Sequence, residues 1–404
     1  MALTTSKSPS TGPSGQMRTR APAAIPAAEA PRLRILMIGQ RGIPATYGGV
    51  EKAVEQIALR LAGRGHRVTV LCRRHYTPPM RSYQRIQIVR LPTIRQKNLE
   101  MIVHTFLGII YAWFQSLDVV HFHGVDPAIL SPLITWRHPV VVTSHGRAYR
   151  RKDWGRNARR MSRYAESVFT RWPQACTAVS KTLREYYSAE CGLEVRYIPN
   201  GISIPERGDP ALVRNLGLEP GGYILFVGRL DSAKGVHLLV EAFLRKHRDV
   251  KLVIVGDASG ASEYADRLYA HRGERIIFTG NQYGGALQAL YGHCRLFVFP
   301  SFTEGLPVVL LEALASLCPL VFSDIPENME VAAGLGLPFR CGDVDDLDQK
   351  MDIALQEPER FEQLREKIVL KLRQEYDWER IVDSYLQSYH EAIARHDRGN
   401  HGTQ

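Results

Sequence analysis

Short apolar runs alternate with helical stretches along this chain, and the alternation plays through twice. Arg34-Ile-Leu-Met-Ile38 stops at Gly39, and a glycine-containing loop runs on to Gly49. Val50, Val54, Ile57, Ala58 and Leu61 then recur at helical spacing, closed by Gly63 and Gly65. Arg67–Leu71, Asp118–Phe122 and Pro139–Thr143 are further β-rich runs. The pattern restarts at Tyr223–Val227, which ends at Gly228, and continues through Lys251–Val255, Ile276–Phe278, Leu296–Phe299 and Leu320–Phe322. Such alternation predicts two successive α/β units, each a parallel sheet covered on both faces. Ligands of these sheets sit beyond the carboxyl ends of the strands, so the loops after Ile38, Val120, Thr143, Val227, Val255 and Phe299 are the ones to search.

A chain of 404 residues is long for one core and fits two domains. The expected division is a disordered Ser/Thr/Pro/Ala/Gly tail over 1–32, a first domain over 33–205 and a second over 220–376. Trp378, Ile381, Val382, Tyr385 and Tyr389 mark a closing helix over 377–396. The tail lacks the apolar core of a secretory signal, and no stretch reaches the roughly 20 apolar residues of a membrane span. Met101 to Phe114 comes nearest, but it is short and carries His104. Six scattered cysteines form no C-x-x-C pair, which fits reduced thiols in a cytoplasmic protein. Residues 1–205 hold 30 Lys and Arg against 11 Asp and Glu, whereas the rest holds 22 against 30. A basic front half suits an anionic partner: nucleic acid, a phosphorylated substrate or an anionic membrane surface.

Two loops of the second unit carry most of the chemistry. In Val227-Gly-Arg-Leu-Asp-Ser-Ala-Lys-Gly235, Arg229 and Lys234 leave a strand end and enter a helix start, where anions bind; together they make a phosphate clamp that needs no metal. A surface salt bridge is the plainer reading of these two cations. In Pro300-Ser-Phe-Thr-Glu-Gly-Leu-Pro307, Glu304 precedes a helix whose first turn suits Pro307, and Glu312 follows eight residues on. The amides of Gly305 to Val308 are expected to face the same mouth as the two carboxylates. Carboxylates accept from vicinal hydroxyls and amides suit a diphosphate, which together describe a nucleotide sugar. Glu312 taken alone also fits a solvated helix face. Asp343-Val-Asp345 has the D-x-D form of a divalent-ion site but precedes a helical run, where acids cap helices.

In the first unit, Gln40-Arg-Gly-Ile-Pro-Ala-Thr-Tyr-Gly-Gly-Val-Glu51 lacks G-x-G-x-x-G, against a nicotinamide site. Gly48 and Gly49 allow backbone to approach a phosphate, and Glu51 reads as a first-turn helix acid. Thr143-Ser-His-Gly146 ends a strand at His145, while His121 and His123 fit a structural or an acceptor-side place. Arg147 to Arg163 holds eight Lys and Arg, one acid (Asp153) and the aromatics Tyr149 and Trp154, with Tyr164 adjoining. That composition fits a solvated helix face or a contact with membrane or lipid phosphate; no nucleic-acid fold signature accompanies it.

Phe226-Val-Gly-Arg-Leu with Lys234-Gly235, Phe299-Pro-Ser with Glu304-Gly-Leu-Pro and Leu311-Glu312, and Ser323-Asp-Ile-Pro-Glu resemble the retaining glycosyltransferases of family 4. Tyr197-Ile-Pro-Asn-Gly201 is similar to that family's link out of the first domain, and Asp377-Trp-Glu-Arg-Ile381 to its terminal helix. The Gln40–Glu51 stretch is similar to a subgroup of bacterial rhamnosyl and cell-surface polysaccharide transferases. The resemblance implies the GT-B fold, two Rossmann-like domains with parallel sheets facing across a cleft. It implies Arg229 and Lys234 on the donor diphosphate, Glu304 on the transferred sugar and Glu312 on the ribose. Gly305, Leu306 and Pro307 complete that side. The loop at Gly48 and Gly49 would face the diphosphate, and His145 the reacting sugar. Leu317 stands where the family commonly has glycine, which implies a different helix-end geometry.

The expected function is transfer of a hexose from a nucleoside-diphosphate sugar, with retention, to a hydroxyl of a saccharide or a polyprenyl-diphosphate-linked acceptor. No cofactor, metal or nucleic acid is expected. The expected place is the cytoplasm, with peripheral attachment to the inner face of the cell membrane where the basic segment makes contact. A GT-B sugar-nucleotide epimerase or hydrolase, and a catalytically silent membrane-associated binding protein, are the alternatives.

Overall fold

The computed structural model describes residues 31–46, 48–96, 99–147, 155–246, 248–258, 260 and 262–401. The expected tail therefore lies almost wholly outside the described residues. The first sheet uses β1 (Arg34–Ile38), β2 (Arg67–Arg73), β3 (Ser82–Tyr83), β4 (Ile86–Leu91), β5 (Val119–His123), β6 (Val140–Ser144), β7 (Ala175–Ala178) and β8 (Arg196–Tyr197). Its strand order is β3-β4-β2-β1-β5-β6-β7-β8, parallel throughout except the short β3–β4 pair. The second sheet uses β9 (Tyr223–Val227), β10 (Lys251–Val255), β11 (Ile276–Gly280), β12 (Leu296–Phe299), β13 (Leu320–Ser323) and β14 (Leu337–Phe339). Its order, β11-β10-β9-β12-β13-β14, is wholly parallel. The chain is thus α/β, with two Rossmann-like domains of the GT-B kind.

Strand order reverses between β1 and β5 in the first sheet and between β9 and β12 in the second. A crevice opens where connections leave in opposite directions, so ligand sites belong at these two points. The strands there are buried end to end: β5 and β9 have no exposed residue. Each fully buried Val, Ile, Leu or Phe contributes about 1.5–3 kcal/mol, which holds the rims of the crevice rigid.

The closing helix Trp378–His401 packs on the first sheet, not the second. Trp378, Ile381, Val382, Tyr385, Tyr389 and Ala392 join the core of β1, β2 and the helix Gly49–Gly63. Asp377 caps its start, accepting from the Glu379 and Arg380 amides at 3.0 and 3.1 Å. Gly201 lies flat beneath the Trp378 indole, where a Cβ would come within 2.4 Å of the ring. The crossover into the second domain and the helix that returns from it are therefore interlocked.

At the end of the helix Val308–Ala315 the structure departs from expectation. Leu317 adopts φ 57°, the left-handed turn for which glycine is suited. The Cys318 amide donates to Ala313 O and the Leu317 amide to Leu314 O, so a Schellman end forms with leucine in the glycine position. The end geometry is unchanged because the two hydrogen bonds and partial burial of the leucine outweigh its backbone cost.

Candidate functional site

In the second domain, the loops after β9 and β12 are stitched together. The Phe302 amide donates to Ala233 O at 2.8 Å. Gly235, at φ 66°, sits so close to Pro300 that a Cβ would lie 2.1 Å from its carbonyl oxygen. This puts Lys234 beside Glu304, Nζ to Oε1 2.6 Å, with side chains only 16% and 9% exposed. The ammonium also lies 5.7 Å from the Phe299 ring centroid. Arg229 stands apart from that pair: its guanidinium is half-exposed and bridges Asp231 at 3.1 Å. The structure thus gives each of the two expected cations a carboxylate of its own.

Pro307 occupies the N-cap of the helix Val308–Ala315 rather than its first turn. It has no N–H, and the Val308 amide donates to Leu306 O at 2.9 Å. The expected row of amides from Gly305 to Val308 is therefore shorter. Gly305 and Leu306, with Val309 further on, make no backbone hydrogen bond through N–H among the described residues. The Leu306 and Pro307 side chains are buried, so only their backbone is left to face the cleft. Glu312, one turn into the helix, accepts from Lys52 Nζ at 2.6 Å and from the Tyr291 hydroxyl at 3.0 Å. Burial and the Glu312 charge push the Tyr291 phenol well above its usual range, so it acts as a donor. Sequence reasoning missed both Lys52 and Tyr291. The nearest signal was that Lys52 lies in the first turn after Gly48 and Gly49.

The glycine loop of the first domain meets the second. Gly49 is close enough to Val308 that a Cβ would lie 3.2 Å from Val308 Cγ2. Gly48 takes φ 39° to make that approach. The loop hangs from the helix that follows it: Glu51, buried, accepts from the Arg41 amide at 3.1 Å, and Glu55 accepts from the Ala45 amide. Glu51 is thus a loop anchor as well as a first-turn acid. Across the cleft, a Cβ on Gly305 would lie 2.0 Å from the carbonyl oxygen of His145. The peptides at His145-Gly146 and Gly305 are in direct contact.

Behind His145 runs a column of imidazoles. His145 Nε2 lies 3.5 Å from His123 Nδ1, and the His123 and His121 rings are 3.9 Å apart. His121 pairs with the Tyr389 hydroxyl at 2.8 Å and Thr143 Oγ1 at 2.7 Å. Burial lowers His145 to about 4 and His121 to about 3, and pushes His123 well below its usual value. All three are neutral at neutral pH, so His145 offers the cleft one N–H or one lone pair, not a charge. His121 and His123 thereby connect the closing helix to the cleft.

Two remaining candidates resolve outside this cluster. Asp343 caps the helix Val344–Gln356, accepting from the Asp346 amide at 2.9 Å, and Asp345 bridges Arg245. Of the basic segment 147–163, residues 148–154 lie outside the described residues. Arg147 stacks 4.2 Å over the Tyr186 ring, and Arg156, Arg159, Arg160 and Arg163 are exposed on the helix Arg156–Phe169. No helix among the described residues is long and apolar enough to cross a membrane.

Residues 47–205 match the family described as Glycosyltransferase Family 4, and residues 213–369 the family described as Glycosyl transferases group 1. Glycogen synthase of Mycobacterium tuberculosis is 27% identical over 398 residues, 88% of this chain and 94% of that protein. A GDP-mannose:cellobiosyl-diphosphopolyprenol alpha-mannosyltransferase of Xanthomonas oryzae is 25% identical over 305 residues, 69% of this chain and 75% of the relative. Among solved structures, sucrose-phosphate synthase from Thermosynechococcus elongatus superposes with a TM-score of 0.78 at 20% identity, covering 90% of this chain and all of that one. Anabaena HepE in complex with UDP-glucose gives 0.73 at 18% identity, over 88% of this chain and 100% of its own.

Proposed function

This chain is a glycosyltransferase of the GT-B fold, and from that premise we propose that it moves a hexose from a nucleoside-diphosphate sugar to an acceptor hydroxyl with retention of configuration. The observation that carries the reading is the enclosed Lys234–Glu304 pair at the β9/β12 reversal, opposite the glycine loop. In this reading Lys234, with the amides of Gly305 and Leu306, holds the donor diphosphate, and Arg229 adds charge at the exposed edge. Glu304 accepts from hydroxyls of the transferred sugar. Glu312 accepts from the ribose hydroxyls, sharing its second oxygen with Tyr291. Gly48 and Gly49 bring backbone against the diphosphate from the other side, and His145 lies next to the reacting sugar.

The bond from the anomeric carbon to the diphosphate oxygen breaks, and a bond from that carbon to the acceptor oxygen forms on the same face. The acceptor proton passes to the departing diphosphate oxygen, so no separate base is required. Charge gathers on the leaving group, and Lys234 and the nearby amides stabilise it best at that moment. The Glu304 carboxylate keeps the ammonium oriented before the donor arrives.

The acceptor we propose is a saccharide or a lipid-linked saccharide of a cell-surface polysaccharide. Support comes from the likeness of Gln40–Glu51 to transferases of that kind and from the lipid-linked saccharide in the name of the Xanthomonas relative. The test is a thermal-shift panel of UDP-, GDP-, ADP- and dTDP-sugars, followed by turnover with the sugar that binds. A donor at 100 times its dissociation constant stabilises the fold by about 2.7 kcal/mol. Lys234→Ala and Glu304→Ala should each lose about 10²–10³-fold in turnover. Full activity in Lys234→Ala would contradict the reading, and an inverted product by NMR of the anomeric centre would contradict retention.

A further inference from the structure

Arg74, His75, Arg90, Pro92, Thr93 and Arg95 line a cavity of about 370 Å³ at the carboxyl ends of β2 and β4. The nearby carboxylate of Glu100 is already engaged, by Arg73 at 2.9 Å and His75 at 2.7 Å. Arg74, Arg90 and Arg95 make no ion pair among the described residues. Arg90 donates from Nη2 to Arg74 O at 2.9 Å, yet its Nε is buried with no partner among the described residues. Three guanidiniums around one cavity, with no carboxylate among the described residues to neutralise them, make a place suited to an anion. The strand end beside the cavity is tied to the glycine loop of the cleft: the Arg73 amide donates to Arg41 O at 2.7 Å, in the loop that carries Gly48 and Gly49.

The helix Leu99–Trp113 begins at the cavity, where Thr93 Oγ1 donates to Glu100 O at 2.7 Å. One of its faces is buried through His104, Thr105, Gly108, Ile109 and Ala112. The other exposes Leu99, Phe106, Ile110 and Trp113 in a single stripe, continued by Phe114 (80% exposed) and Trp136 (63%). A helix apolar on both sides calls for a cover on both. The indole N–H groups of Trp113 and Trp136 both donate to Leu133 O, at 3.2 and 3.1 Å. Both rings can therefore leave water without giving up a hydrogen bond. The helix spans only about 22 Å, so the stripe can lie in a membrane surface but not cross it.

We propose that cavity and stripe form one docking site for an anionic bilayer. A lipid phosphate sits among Arg74, Arg90 and Arg95, and Phe106, Ile110, Trp113, Phe114 and Trp136 enter the boundary of the acyl chains. The unpaired guanidiniums favour this occupant over an apolar protein partner. The inference deepens the proposed function, giving a lipid-linked acceptor its place, and rests on it for that role alone; vesicle binding itself needs no donor site.

The experiment is flotation of the full chain with vesicles of equal phosphatidylglycerol and phosphatidylcholine, and with phosphatidylcholine alone. Binding to the anionic vesicles is expected. The combined variant Arg74→Gln, Arg90→Gln, Arg95→Gln should weaken it about ten-fold or more, and so should Phe106→Ser with Trp136→Ser. Both variants should keep the melting temperature of the parent. Equal binding to phosphatidylcholine alone, or unchanged binding in the arginine variant, overturns the proposal. If inorganic diphosphate occupies the cavity while the Phe106, Trp136 variant floats like the parent, the site takes a free anion and the lipid assignment is overturned. A dimer in the ultracentrifuge that the same variant dissociates, without vesicle binding by the parent, would instead make the stripe a contact between copies. Nucleotide-sugar binding without vesicles tests the proposed function separately.

Discussion

Leu317 keeps a φ of 57°, a conformation that brings its Cβ against its own carbonyl at a cost of about 1–2 kcal/mol. It is tolerated because the side chain packs against the core beside Leu314. The two contributions can be separated. Leu317→Ala discards the packing and keeps the strain, whereas Leu317→Gly discards both. Chemical denaturation should find the glycine variant more stable than the alanine variant by about 1 kcal/mol. Equal stabilities would mean that the backbone relaxes at this position. The sequence showed that a leucine stands where a glycine is usual. It did not show that the turn survives, because that depends on hydrogen bonds from Leu317 and Cys318 to the preceding turn.

The helix Gly49–Gly63 works as a bracket for the loop that precedes it. Glu51 and Glu55, one turn apart, accept the Arg41 and Ala45 amides, and Tyr83 adds a hydroxyl to Glu55 at 3.2 Å. A hydrogen bond to a charged acceptor contributes about 1.5–3 kcal/mol. Glu55→Ala should therefore speed hydrogen exchange at the Ala45 amide by about ten-fold or more, leaving the β1 amides protected. Protection of Ala45 equal to the parent's would show that Gly48 and Gly49 are held by other means. Elements of this kind were unevenly legible. The central strands were readable because burial on both faces demands an unbroken apolar run, as in Tyr223–Val227. Ala175–Ala178, Arg196–Tyr197 and Leu337–Phe339 were not, since these short strands take their conformation from a neighbour's ladder more than from their own side chains. Glu304 and Lys234 could be read because each lies in a loop beside a strand end. Lys52 and Tyr291 could not: Lys52 reaches Glu312 across 260 residues of sequence.

At the scale of the whole molecule, the two domains touch at several places. Lys52 meets Glu312, Gly305 rests on His145, and Glu330 accepts the Lys181 and Thr182 amides at the start of the helix Lys181–Cys191. Lys52 is 41% exposed, so its pair with Glu312 adds only about 0–1 kcal/mol to stability. Its larger effect is on the separation of the domains. In the proposed function Glu312 also takes the ribose, so lysine and donor compete for it. Lys52→Ala should leave the melting temperature nearly unchanged, raise the radius of gyration in small-angle scattering without donor, and lose that increase when donor is added. A radius equal to the parent's in the donor-free state would remove Lys52 as a tie between domains. The return of the closing helix to the first sheet carries a consequence for the chain as it is made. Trp378 to Ala392 complete the core begun at Leu33, so the half that leaves the ribosome first is the last to be finished. For nearly two hundred residues of synthesis after Gly201, the face of β5, β6 and β7 awaits its cover. A ribosome stalled before residue 378 would hold a nascent chain whose first domain is still open, a natural client for chaperones.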